Sequence, residues 1–150
     1  MEVKMDYTER AIDLLRNRNQ LINANATLAE ELEMLESEKY SAKHSAVSDT
    51  TVARDGGSRY EEHLINIISM IDHTVFRKKT VERQLKMIEN GLSVLEDYER
   101  DLLEVFYIKN IKSAPEVVSK KYFKERSQIY ADRKKALIKF TRGIFGIVHL

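Results

Sequence analysis

Between Glu125 and Ala136 the chain reads ERSQIYADRKKA. These residue types suit contact with a polyanion. An Arg presents a bidentate fork to guanine, and a Gln presents a donor and an acceptor to adenine. Lys side chains suit phosphates as point charges. If the stretch is helical with Ile129 inward, Arg126, Ser127, Gln128 and Tyr130 gather near its N-terminal end and outer face. Recognition helices contact base edges from that end. Lys134 and Lys135 lie further along and suit phosphate contacts, with Lys124 and Arg133 completing the expected set.

The charge distribution points the same way. From Lys109 to Arg142 there are eleven Lys and Arg against three acidic residues, a local net of +8. The rest of the chain carries −7, so a formal charge of +1 conceals a basic end on an acidic body. That is the footprint of a nucleic-acid-binding module, and equally that of a solvated basic helix face.

Other chemistries find little support. His44, His63, His73 and His149 are scattered, without the spacing of metal ligands. Gly56-Gly57 lacks the Lys and Ser or Thr of a phosphate-binding loop, and no nucleophile–base pair is evident. Neither an enzyme nor a cofactor is expected. The absence of Cys excludes disulfides and thiolate zinc sites. The acidic start MEVKMDYTERAIDLL is unlike a secretory leader, and no apolar run is long enough to span a bilayer. The expectation is a cytoplasmic protein that does not enter membranes.

Five Gly and one Pro in 150 residues favour an all-α chain. A first helix is expected from about Tyr7 to Glu38. Leu14, Leu21, Leu28 and Leu35 recur every seventh residue, with Asn25 at an a position. This is the pattern of a dimerising zipper, in which a paired Asn fixes register. Arg18 at another a position weakens the seam, and Leu15 and Ile22 widen the stripe, as in packing on a second helix. Both readings stand on sequence alone. Residues 1–40 form this dimerisation segment, and 41–58, small and polar, read as a linker. A second long helix is expected over 59–91, stopped by Gly91.

A three-helix domain is expected over 93–142, followed by an apolar tail at 143–150. Ser93-Val94-Leu95-Glu96 and Ser113-Ala114-Pro115-Glu116 both have the form of a capping box. The first opens a helix reaching Ile108, and the second opens a short helix carrying Val117, Val118 and Tyr122. A turn near Phe123-Lys124 then leads into the basic helix with Ile129, Ala136, Leu137 and Phe140 inside. Long helix, short helix, turn and basic helix make a helix-turn-helix order. A three-helix protein-interaction domain has the same pattern.

LEDYERDLLEVFYIKN followed by ERSQIYADRKKALIKF resembles region 4 of bacterial sigma factors. More closely, the chain resembles the ArpU/RinA-type phage transcriptional regulators. The resemblance rests on Phe106-Tyr107 near the end of an acidic helix and on Arg133-Lys134-Lys135-Ala136-Leu137. It extends upstream to Asp49-Thr50-Thr51-Val52 and Gly56-Gly57-Ser58-Arg59-Tyr60-Glu61-Glu62. Family members often place Ser or Thr at the N-cap of the last helix, where this chain has Glu125, so the helix starts there or at Ser127. The resemblance implies a homodimeric, double-stranded-DNA-binding activator of phage or prophage late genes, acting with bacterial RNA polymerase. The competing expectation is a coiled-coil adaptor whose basic domain binds polymerase or a phage protein.

Overall fold

A computed structural model of the chain describes residues 6–48 and 56–150, with side chains for 6–44 and 59–150. The described residues form helices joined by turns, with no strand among them. They are α1 (Tyr7–Arg16), α2 (Arg18–Ser48), α3 (Gly56–Ser93), α4 (Asp97–Leu103) with a π turn at Glu104–Ile108, α5 (Ala114–Tyr122) and α6 (Arg126–Phe145). No helix among the described residues is long and apolar enough to cross a membrane.

Several boundaries differ from the sequence expectation. The first helix is not continuous. Asp6 caps α1 by accepting the Glu9 N–H at 3.2 Å, and α1 ends at Arg16 with Asn17 as its C-cap. Asn17 takes φ −92°, ψ 3°, a bridge-region conformation. The expected linker at 41–58 is helical at both ends, because α2 continues to Ser48 and α3 begins at Gly56. Ala42 is buried there, so the segment has a packed face. Residues 49–55 of that linker, including Asp49-Thr50-Thr51-Val52, lie outside the described residues.

Gly91 does not stop α3, which runs on to Ser93. Its role is close approach. A Cβ there would sit 2.4 Å from Ile144 Cγ2 and 2.6 Å from the Phe140 ring. Ser93 caps nothing; its hydroxyl donates back to the Asn90 carbonyl at 2.7 Å. The capping box lies three residues later. Glu96 is the N-cap of α4, and Glu99 accepts its backbone N–H at 3.1 Å. The apolar tail also begins later than 143, since α6 extends to Phe145 and ends on Gly146 in the left-handed region. Phe145 packs on Tyr7 with ring centres 5.3 Å apart, which draws the end of α6 onto α1.

The chain divides into two compact units. One comprises the residues up to Ile22 together with Arg83–Leu150. The C-terminal helices therefore do not fold apart from the N-terminus. Ala11, Leu15, Ile88, Leu92, Leu103, Ala136 and Phe140 form one buried cluster, against which Leu14 and Leu21 pack. A second cluster, Leu102, Val118 and Ile129, lies between α4, α5 and α6.

The other unit is Asn23–Glu82. Its parts of α2 and α3 pair antiparallel through Leu35, Ala42, Ile67 and Ile71. Glu31 accepts from Arg77 through both carboxylate oxygens, each at 3.1 Å. Leu28 and Leu35 are buried inside this unit. The zipper face thus has its partner within the chain, and no open leucine seam remains at those positions. Asn25, expected to pair across a dimer, keeps its Oδ1 buried without a hydrogen-bond partner among the described residues.

Candidate nucleic-acid interface

The site is built on the α5–turn–α6 segment, held against α4. Ser113 is the N-cap of α5, with Pro115 in the first turn, where its missing N–H costs nothing. The Ser113 side chain makes no capping bond, so the expected box with Glu116 does not form. Glu116 instead meets Arg126 across the turn at 2.5 Å. α5 ends on Phe123 in the left-handed region, at φ 54°. That conformation costs a non-glycine residue roughly 1–2 kcal/mol. The turn is tied back by the Ser119 hydroxyl, which donates to the Lys124 carbonyl at 2.7 Å. Glu125 is then the N-cap of α6, which begins at Arg126 without a side-chain capping bond. The helix start is thus the earlier of the two that the sequence left open.

Two carboxylates on different helices fix this arrangement. Asp101 of α4 accepts from Lys121 at 2.7 Å and from the Tyr122 hydroxyl. Asp132 of α6 accepts from the Tyr98 hydroxyl at 2.8 Å and from Gln128 at 2.8 Å. Lys124 lies 3.5 Å from Asp132 and 4.1 Å from the centre of the Tyr98 ring. The Tyr98 and Tyr122 rings meet edge to face at 4.7 Å.

These contacts set the ionisation of the groups. Hydrogen bonds from Lys121 and then Tyr122 hold the Asp101 carboxyl below its ordinary value, against a smaller opposing effect of burial. At Asp132 burial alone would raise the carboxyl, but Tyr98, Gln128 and Lys124 together outweigh it and lower it. Burial first, then the Asp132 carboxylate, pushes the Tyr98 hydroxyl far up, so it remains a donor at neutral pH.

Both acids are depressed in the fold, so their stabilisation is present above the unfolded carboxyl value, about 3.9, and fades as pH falls through the folded values. Thermal melts between pH 6 and pH 2.5 are expected to show a steep loss of stability in acid. Asp132→Asn should flatten part of that loss, because the amide oxygen still accepts from Tyr98 but does not titrate. An unchanged acid limb would remove Asp132 from the account.

The predicted contact residues fall into three groups. Ser127, Lys134 and Lys135 are exposed on the outer face of α6, and none has an ion-pair or side-chain hydrogen-bond partner among the described residues. Arg126, Gln128 and Tyr130 are also exposed, but engaged. The Arg126–Glu116 pair is solvent-exposed at both ends, and such pairs are worth at most about 1 kcal/mol. A stronger anion can therefore displace it. Gln128 uses one N–H on Asp132 and keeps its carbonyl and a second N–H, the two groups adenine requires. Tyr130 leans edge-on against Phe106 at 6.3 Å.

Lys124 and Arg133 are placed differently. Lys124 is held in the turn by Asp132 and Tyr98, as described above. The Arg133 guanidinium lies 4.9 Å from the Phe106 ring and 5.1 Å from the Tyr130 ring. Both cations brace the helix from behind more than they extend the outer face.

The leucines and Asn25 proposed for dimerisation do not join this site; they lie in the packing described above.

Sequence reasoning missed Ala131. It is exposed in the middle of the outer face, between Ser127 and Lys134–Lys135. A small side chain there lets a ligand surface approach the helix closely. Its spacing, four residues beyond Ser127 and three before Lys134, is the periodic signal that marks it. Arg142 continues the same face and is also exposed. Among the described residues no cluster of acidic and His side chains is arranged to hold a metal ion.

No protein-family model, curated protein or solved structure matches the chain.

Proposed function

We propose that α4, α5 and α6 form a helix-turn-helix that binds double-stranded DNA, with α6 entering the major groove. The supporting observation is the outer face of α6. It is polar at Ser127, flat at Ala131 and basic at Lys134, Lys135 and Arg142, while the opposite face is buried at Ile129, Ala136 and Phe140. A helix with one face anchored and the other small and cationic suits a groove lined by phosphates. Arg126 and Gln128 at its N-terminal end are the base-reading candidates, and Lys134 and Lys135 the phosphate contacts. Taken with the resemblance of the sequence to phage late-gene regulators, the reading is a transcription regulator, most naturally an activator working beside RNA polymerase.

A second reading has one observation in its favour. Phe123 is 92% exposed in the turn, close in sequence to Lys120, Lys121 and Lys124. An exposed aromatic among cations also suits an acidic protein surface, as an adaptor of polymerase would need.

Fluorescence anisotropy with a pool of random duplexes separates the two. Lys134→Ala with Lys135→Ala is expected to weaken DNA retention about tenfold or more at moderate salt, because two phosphate contacts are lost. Equal retention by the double variant would place the DNA on another face, and no retention by the parent chain would favour the adaptor.

A further inference from the structure

The unit Asn23–Glu82 covers one face of α3 and leaves the opposite face open. On the covered side lie Ile67, Ile71 and Thr74, all buried. On the open side Ile65 is 64%, Ile68 38% and Phe76 68% exposed. Ile65, Ile68, Asp72 and Phe76 follow the three-four spacing of a single helical stripe. Glu61 stands at one end of that stripe and Lys79 at the other, about 27 Å apart. Neither has an ion-pair partner among the described residues.

We propose that this stripe is a dimer interface and that its occupant is α3 of a second copy, packed antiparallel. The argument is self-complementarity. A two-fold axis between Met70 and Ile71 sets Ile65 of one copy opposite Phe76 of the other. The same operation sets Ser69 opposite Asp72, a donor to a carboxylate, and Glu61 opposite Thr80, about 1.5 Å along the axis from Lys79 and within reach of its long side chain. An isologous contact requires such a match, since one patch must fit itself. Parallel pairing would oppose Lys79 to Lys79 and Glu61 to Glu61, which costs free energy. Two long, paired helices with a one-sided core gain a four-helix arrangement in this way. The dimer therefore uses the back of α3 rather than the leucine stripe of α2. This inference does not depend on DNA binding.

Sedimentation equilibrium of the full chain tests it. The parent should have the mass of two chains. Phe76→Asp should give the mass of one chain with unchanged helical circular dichroism, since the side chain is exposed. Glu61→Lys and Lys79→Glu should each weaken the dimer several-fold, and the two together should restore it. The two positions are too far apart to pair within one helix, so rescue reports an antiparallel contact between copies. A monomeric parent, a dimer indifferent to Phe76→Asp, or a charge swap without rescue would each overturn the proposal.

Discussion

Phe140→Ala should destabilise the unit that contains α6 by about 3–5 kcal/mol, the usual cost of emptying a fully buried aromatic site. Phe140 is 0% exposed, in the cluster that joins α1, the end of α3 and α6. Its ring is also the surface against which Gly91 lies. Gly91→Ala should accordingly cost about 1–3 kcal/mol through overpacking. The sign is informative. A glycine inside a helix with open space beside it gains up to about 1 kcal/mol on replacement by Ala. Here the added methyl meets Phe140 and Ile144 at distances that real atoms do not adopt. The two substitutions together should cost less than their sum, because they share one contact. Urea denaturation of the four proteins checks this. A neutral or stabilising Gly91→Ala would mean that α3 and α6 are not in close contact there.

Ala131→Glu is expected to lower DNA affinity about a hundredfold, roughly 2.8 kcal/mol, while leaving the melting temperature near that of the parent. Ala131 is exposed, so the fold should accept a longer side chain. A carboxylate at the centre of the contact face would meet phosphates, and like charges in contact cost several kcal/mol. Ala131→Ser is the control, expected to bind nearly as well as the parent. Comparable losses from Glu and Ser would point to something other than charge and bulk at this position. No loss from Glu would place the DNA elsewhere.

Much of the helical frame of the candidate site was legible in the sequence, and the reason is local. The apolar spacing of Val118 and Tyr122 marks the inner face of α5 and that of Ile129 and Phe140 the inner face of α6, and Pro115 marks a helix start through a backbone constraint that acts within a few residues, whereas the start of α6 stayed open between Glu125 and Ser127. What was not legible depends on distant partners. Gly91 reads as a terminator until Phe140 and Ile144 are seen against it. Ser93 and Glu96 form a plausible capping box, yet the helix begins at Asp97, where Glu99 completes the cap. The π turn at Glu104–Ile108, in which the Lys109 N–H reaches the Glu104 carbonyl at 2.8 Å, has no local signature in the residues that form it. The leucine heptads were visible, but a stripe does not say what covers it. In the structure Leu35 is covered by Ile67 and Ile71 of the same chain. Arg133 and Lys124 looked like contact residues by type, and only the rings of Phe106, Tyr130 and Tyr98 reveal that they brace the helix.

The proposed binding of duplex DNA by the outer face of α6 runs through phosphates as well as bases. The salt dependence of affinity tests it most directly. Four cations on or beside that face, Arg126, Lys134, Lys135 and Arg142, predict that log affinity falls with log salt at a slope near −4, on the order of −0.9 for each phosphate neutralised. Removing Lys134 and Lys135 should make the slope shallower by about two. Binding indifferent to salt, or a slope unchanged in that double variant, would contradict the account.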